Sequence, residues 1–133
     1  MNKTERQKLG AENREWGQEA EALAAEYFLK EGYVIRERNW RLGNLEIDLI
    51  LEKDRTMVFV EVKARSSSED EALSSINFKK RSRIINGADV YLRRETKLYQ
   101  YRFDIVTFTG NRDNYKMRHY PDAFLPPVNG GRR

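Results

Sequence analysis

The sequence predicts a mixed α/β domain of the α+β kind, in which helices pack on a central sheet, and three observations carry that prediction. An apolar stripe at helical spacing runs through residues 15–30, two strand-like runs follow at 45–65, and a second amphipathic stretch precedes another strand-like run at 98–108. Interleaving both periods in 133 residues favours one layered domain over a helix bundle.

Residues 1–12 are polar and mixed in charge, which predicts a loose, flexible leader or an early frayed turn. From Glu15 to Lys30, Ala20, Leu23, Ala24, Tyr27 and Phe28 share one helical face, and Gly32 supplies the stop. Glu21 borders that stripe. Tyr33–Arg38 reads as a first strand, ending in Asn39-Trp40-Arg41 and a turn at Gly43-Asn44. Solvation is the simplest reading of Arg36.

Leu45–Glu52 and Met57–Arg65 have the β-branched and aromatic bias of strands, and the break between them is short enough for a hairpin. With Asp54 and Arg55 as the turn, Asp48 falls opposite Glu61 and Glu46 opposite Lys63. Alternation then puts Glu46, Asp48, Glu61 and Lys63 on one face, with Leu45, Ile47, Leu49, Leu51, Val58, Val60 and Val62 on a core face. Two facing carboxylates repel when both are ionised, and a divalent cation removes that cost. A solvated sheet face with an ordinary Glu46–Lys63 ion pair explains the pattern equally well.

Ser66–Glu71 reads as a polar, flexible connection, after which Ser74 or Ser75 is the expected cap of a second helix reaching Leu92. Lys79, Lys80, Arg81 and Arg83 cluster at its front, either as a solvated face or as a phosphate-binding patch. Leu98–Phe108 and Lys116–Tyr120 read as the last strands. The domain is expected to span 13–125, followed by a flexible tail at 126–133 with two prolines, two glycines and a basic end.

Composition narrows the chemistry. The chain is 39% apolar and 35% charged, with a net charge of +4, which permits nucleic acid or an acidic surface as a partner. It has no cysteine, which excludes disulfides, thiol catalysis and the usual structural zinc sites. A single histidine, His119, excludes His-clustered metal sites and a histidine-dependent triad. No apolar run has the length of a membrane span, so a cytoplasmic protein outside the membrane is expected.

The residues also form an ordered set: Gly17 with Glu21 and Ala24, Gly32-Tyr33, Asn39-Trp40-Arg41, Glu46-Ile47-Asp48-Leu49-Ile50, Phe59-Val60-Glu61-Val62-Lys63-Ala64-Arg65, Lys80 with Arg83-Ile84, and Arg102-Phe103-Asp104. This set resembles the small bacterial YraN-type family, within the restriction-endonuclease-like PD-(D/E)XK nuclease superfamily, over roughly Gly17 to Phe124. Two positions depart from the family pattern, with Leu45 and Ala20 each standing where a glycine is usual.

The resemblance implies a three-layer core, a mixed central sheet with the N-terminal helix and the basic helix packed on it. It further implies Mg²⁺- or Mn²⁺-dependent hydrolysis of phosphodiesters in nucleic acid, with DNA the expected partner. Asp48, Glu61 and Glu21 would be the metal-binding carboxylates, helped by the Val62 carbonyl. Lys63 would orient or deprotonate the attacking water. Lys80, Arg83, Arg102 and Arg65 would hold the nucleic-acid backbone. The alternative is a non-catalytic nucleic-acid-binding or scaffolding protein on the same fold. The oligomeric state is left open.

Overall fold

The computed structural model describes residues 1–126. Its elements are α1 (Lys3–Lys30), β1 (Val34–Leu42), β2 (Leu45–Lys53), β3 (Thr56–Arg65), α2 (Glu69–Ser74), α3 (Phe78–Arg93), β4 (Gln100–Asn111) and β5 (Asn114–Phe124). The five strands form one sheet in sequence order. All neighbours are antiparallel except β3 and β4, which run parallel because α2 and α3 cross between them.

Helix α1 begins well before its apolar stripe. The Asn2 side chain accepts from the Glu5 amide at 2.8 Å, and the helix runs unbroken for 28 residues. The segment expected to be a loose leader is therefore helical. Its first turns are exposed and so need no apolar face, while Glu, Arg, Lys and Leu sustain helix on propensity. At the other end, Gly32 takes φ +89° and the Tyr33 amide reaches back to the Phe28 carbonyl at 3.0 Å, closing the helix as expected.

Both sheet faces are covered, which gives the three layers of a restriction-endonuclease-like α/β fold. On one face Ala20, Ala24, Ala25 and Phe28 of α1 pack on Leu49, Leu51, Val58, Val60, Val106 and Phe108. On the other, Ile84, Ile85, Ala88 and Tyr91 of α3 pack on Trp40, Ile47, Ile50, Met57, Phe59 and Phe103. Gly87 of α3 lets this face close up, since a Cβ there would lie 3.1 Å from Ile47 Cδ1 and 3.2 Å from Trp40 Cζ3.

The hairpin turns where expected. Asp54 and Arg55 adopt φ of 51° and 61°, the left-handed pair of a two-residue hairpin, and the pairs run from Lys53↔Thr56 to Leu49↔Val60. Its two faces differ from expectation, however. The face expected to be charged is core over Ile50, Met57 and Phe59, because α3 lies on it. Alternation also resets at Asp48. Ile47, expected beside Leu49 and Leu51, instead packs under α3 with Trp40, and Leu45 joins it. On β1 the same reset falls at Asn39, which stands between the pairs Arg38↔Leu49 and Trp40↔Ile47 and has φ 51°. A left-handed residue turns the following side chain to the opposite face, so Asn39 and Asp48 are both left on the α1 side.

After β3, Ser66–Ser68 leads directly into a short helix, α2, so part of the stretch expected to be a flexible connection is helical. The long helix is capped by neither Ser74 nor Ser75. Asn77 takes that place, accepting from the Lys80 amide at 2.9 Å. Strands β4 and β5 are longer than their apolar cores suggest. The expected tail lies outside the described residues apart from Pro126.

Candidate active site

The site forms where the β2–β3 pairing ends. Beyond Leu49↔Val60 the Asp48 carboxylate occupies the position of a backbone partner, and the Val62 amide donates to its Oδ2 at 2.8 Å. Asp48 is thereby fixed with 5% of its surface exposed, and Glu61 beside it has 2%. Glu21 comes from α1, one turn along from Gly17, and faces the same opening. A cavity of about 460 Å³ collects Glu21, Glu46, Asp48, Glu61, Lys63, Arg65 and Lys80. Its size lies within the range of about 300–1,000 Å³ usual for ligand sites.

Electrostatics set this place apart from the rest of the surface. Burial and then the Asp48 carboxylate push Glu61 up to about 8, against the opposing pull of Lys80 and Lys63. Burial, followed by Asp48, likewise pushes Glu21 up to about 7, with a polar contact from Asn39 opposing. Lys80 Nζ stands 3.4 Å and Lys63 Nζ 3.7 Å from Glu61 Oε2, too far for strong hydrogen bonds but close enough to balance charge. The other oxygen, Glu61 Oε1, is buried without any partner. A buried acceptor left without a protein donor is costly, and an ion, water or ligand would relieve that cost.

Among the described residues, no three carboxylate, imidazole or thiol groups converge as a ready-made metal cage. Mg²⁺ does not need one, because it commonly takes one or two carboxylates and completes its shell with water and substrate phosphate. Asp48 with Glu61, whose free oxygen has no protein partner, fits that donor set. Glu21 sits on its rim, electrostatically tied to Asp48.

The structure brings together Asp48, Glu61, Lys63, Glu21, Lys80 and Arg65 of the residues singled out in the sequence. Arg83 is half-buried on α3 and does not line the cavity. Arg102 lies level with Val58, toward the hairpin turn, where it binds Asp104 at 2.9 and 3.2 Å and the Tyr33 hydroxyl at 2.7 Å. Glu46 is paired with Arg41 at 3.6 Å rather than with Lys63. Lys63 instead leans toward Glu61, because the strands have separated at that level.

Asp104, fully buried, also takes the Asp122 amide at 2.9 Å and His119 Nε2 at 2.7 Å, while Tyr27 meets His119 Nδ1 at 3.0 Å. Burial alone would raise the Asp104 carboxyl; the bonds from His119, Arg102 and Asp122 outweigh it and hold the group below its usual range. This network ties α1 and β5 to the sheet and accounts for Arg102.

Sequence reasoning missed Asn13, Trp16, Gly17 and Glu71 in the cavity wall. The signal for Asn13 and Gly17 was present, since Asn13, Gly17 and Glu21 recur every four residues along one helix face.

A restriction-endonuclease-like fold with a buried carboxylate pair and two lysines at the end of the central hairpin defines the class. The profile of "Uncharacterised protein family UPF0102" matches residues 20–108, and the chain belongs to that family, the YraN-type proteins that the motifs resemble. A UPF0102 protein of Phocaeicola vulgatus is 37% identical over 119 residues, covering 89% of this chain and 98% of its own. UPF0102 proteins of Clostridium perfringens and Myxococcus xanthus are 40% and 32% identical, covering 84% and 86% of this chain and 95% and 92% of theirs. No helix among the described residues is long and apolar enough to cross a membrane.

Proposed function

We propose that this protein is a Mg²⁺- or Mn²⁺-dependent nuclease that hydrolyses phosphodiester bonds in nucleic acid, DNA foremost, in the cytoplasm. The single observation behind this reading is Glu61: a carboxylate 2% exposed, beside Asp48, flanked by two lysines and left with one oxygen unpartnered. A buried carboxylate oxygen with no protein donor calls for an ion, a water or a ligand.

In this reading Asp48, Glu61 and the Val62 carbonyl would hold the metal. The bound ion would polarise the scissile phosphate and lower the pKa of water at the site. The Val62 amide keeps Asp48 oriented. Lys63 orients the attacking water or takes its proton, and offsets charge building on the phosphate. Lys80 and Arg65 hold phosphate oxygens at the cavity wall, Glu21 completes the acidic rim through water, and Arg83 follows the strand further along α3.

A second reading is a non-catalytic nucleic-acid-binding or scaffolding protein. It is favoured by the lack of a third converging ligand among the described residues. One assay separates the two: single-stranded, duplex and branched DNA and RNA are incubated with Mg²⁺ or Mn²⁺ and wild-type, Asp48→Ala or Lys63→Ala protein. The nuclease reading expects cleavage by wild type alone. Cleavage surviving both substitutions would sink the proposed site, and salt-sensitive binding without cleavage supports the scaffold.

A further inference from the structure

Helical glycines invite the question of what their missing side chain makes room for, since glycine weakens a helix interior relative to alanine. Gly87 has an answer inside the protein, where a Cβ would press on Ile47 and Trp40. Gly17 has none, because a Cβ there would meet nothing within 4 Å. Yet Gly17 lies in mid-helix and lines the cavity that holds Asp48 and Glu61. The space is kept open on the cavity side, where a side chain would project into the site.

Its neighbours give that space a chemical character. Trp16 lines the same wall, held by an edge contact with Phe108 at 6.0 Å and a tilted one with Tyr115 at 5.5 Å between ring centroids. Its indole Nε1 is buried without a partner. Asn13, one turn before, adds an amide that both donates and accepts. The opposite wall is cationic, with Lys63, Lys80 and Arg65. Phosphate therefore suits one side, and a flat, hydrogen-bonding, aromatic group the other.

We infer that Asn13, Trp16 and Gly17 form a subsite for one unpaired nucleotide beside the scissile phosphate, so that the substrate is single-stranded DNA or an unpaired end. This rests on the nuclease reading of the carboxylate site. Gly17 lets sugar or base approach the helix backbone, and Trp16 supplies a π surface, the sequence-tolerant device by which single strands are held. A base within a duplex reaches such a recess only by leaving its stack.

The test uses the full chain, a fluorescein-labelled single-stranded oligonucleotide, and the blunt duplex of the same sequence, with Ca²⁺ filling the cation site. Anisotropy gives affinity, tryptophan fluorescence reports stacking, and a thermal melt gives stability for wild type, Gly17→Ala and Gly17→Leu. Trp40 is buried in the core, so a change in emission on titration reports Trp16. Expected results are preference for the single strand, quenching on binding, and an affinity loss of roughly tenfold or more in Gly17→Leu. Both variants should melt roughly 2–5 °C higher than wild type. Higher melting with lower affinity is the signature of a gap kept for substrate. Unchanged affinity in Gly17→Leu, or a blunt duplex bound as tightly as the single strand, overturns this inference alone. Wild type that binds neither oligonucleotide overturns the nuclease reading, and this inference with it.

Discussion

The Val62 amide donates to the Asp48 carboxylate at 2.8 Å, at the point where β2 and β3 stop pairing. One side chain thus ends a backbone ladder and is itself held in place beside Glu61. The two roles separate by mutation. In Asp48→Asn the amide oxygen still accepts from Val62 while the charge facing Glu61 is gone, so metal-free protein should melt at or above the wild-type temperature. In Asp48→Ala the Val62 amide is left buried and unpaired, at a cost of about 1–3 kcal/mol. Thermal unfolding of both variants checks this, and equal melting temperatures would refute the dual role.

Glu61 makes metal-free stability depend on pH. Its folded pKa of about 8 lies above the ordinary 4.5, so between those values the folded state binds more protons than the unfolded state. Stability therefore falls as pH rises through that window, by on the order of a few kcal/mol in total. Glu61→Gln removes this dependence, and its advantage in urea melts without divalent cations should grow from pH 5 to pH 8, values spanning about that window. A constant advantage would count against a Glu61 that is uncharged in the metal-free protein.

Asp104 acts at the other end of the scale. Its carboxyl is held below the ordinary 3.8 by His119, Arg102 and the Asp122 amide, against burial. Its contribution is present above the unfolded value and is lost as pH falls through the folded one. The stability gap between wild type and Asp104→Asn should be wide at neutral pH and close in acid, as urea midpoints followed downward in pH will show.

Lys80 and Arg102 should fail in opposite ways. Arg102 neutralises a fully buried Asp104 far from the cavity, so Arg102→Ala should lose about 2–3 kcal/mol of stability with DNA affinity nearly unchanged. Lys80 is partly exposed over Glu61, so Lys80→Ala should keep its melting temperature within a few degrees and lose roughly tenfold or more in DNA affinity. Paired melting and anisotropy measurements decide between this and a shared role.

These contrasts mark what could be read from the sequence. The period-two runs and the Asp54-Arg55 turn made the hairpin and its register legible, because pairing about a two-residue turn is local. The reset at Asn39 and Asp48 was not, since one left-handed φ leaves no trace in hydropathy. It moved Ile47 to the other layer and turned Asp48 toward α1. The partners of Arg102 and Lys63 were hidden because tertiary proximity chooses them: Arg102 reaches Tyr33 from 69 positions away. The polar front of α1, from Lys3 to Glu12, lacked a stripe to announce it.

Asp48 and Glu61 should bind a divalent cation together. Mn²⁺ binding followed by electron paramagnetic resonance, with a phosphorothioate oligonucleotide present to supply phosphate ligands, measures this. Wild type should bind Mn²⁺ saturably, Mg²⁺ should compete, and Asp48→Asn and Glu61→Gln should each lose the site. Mn²⁺ bound equally by wild type and both variants, or not bound by wild type at all, would contradict it.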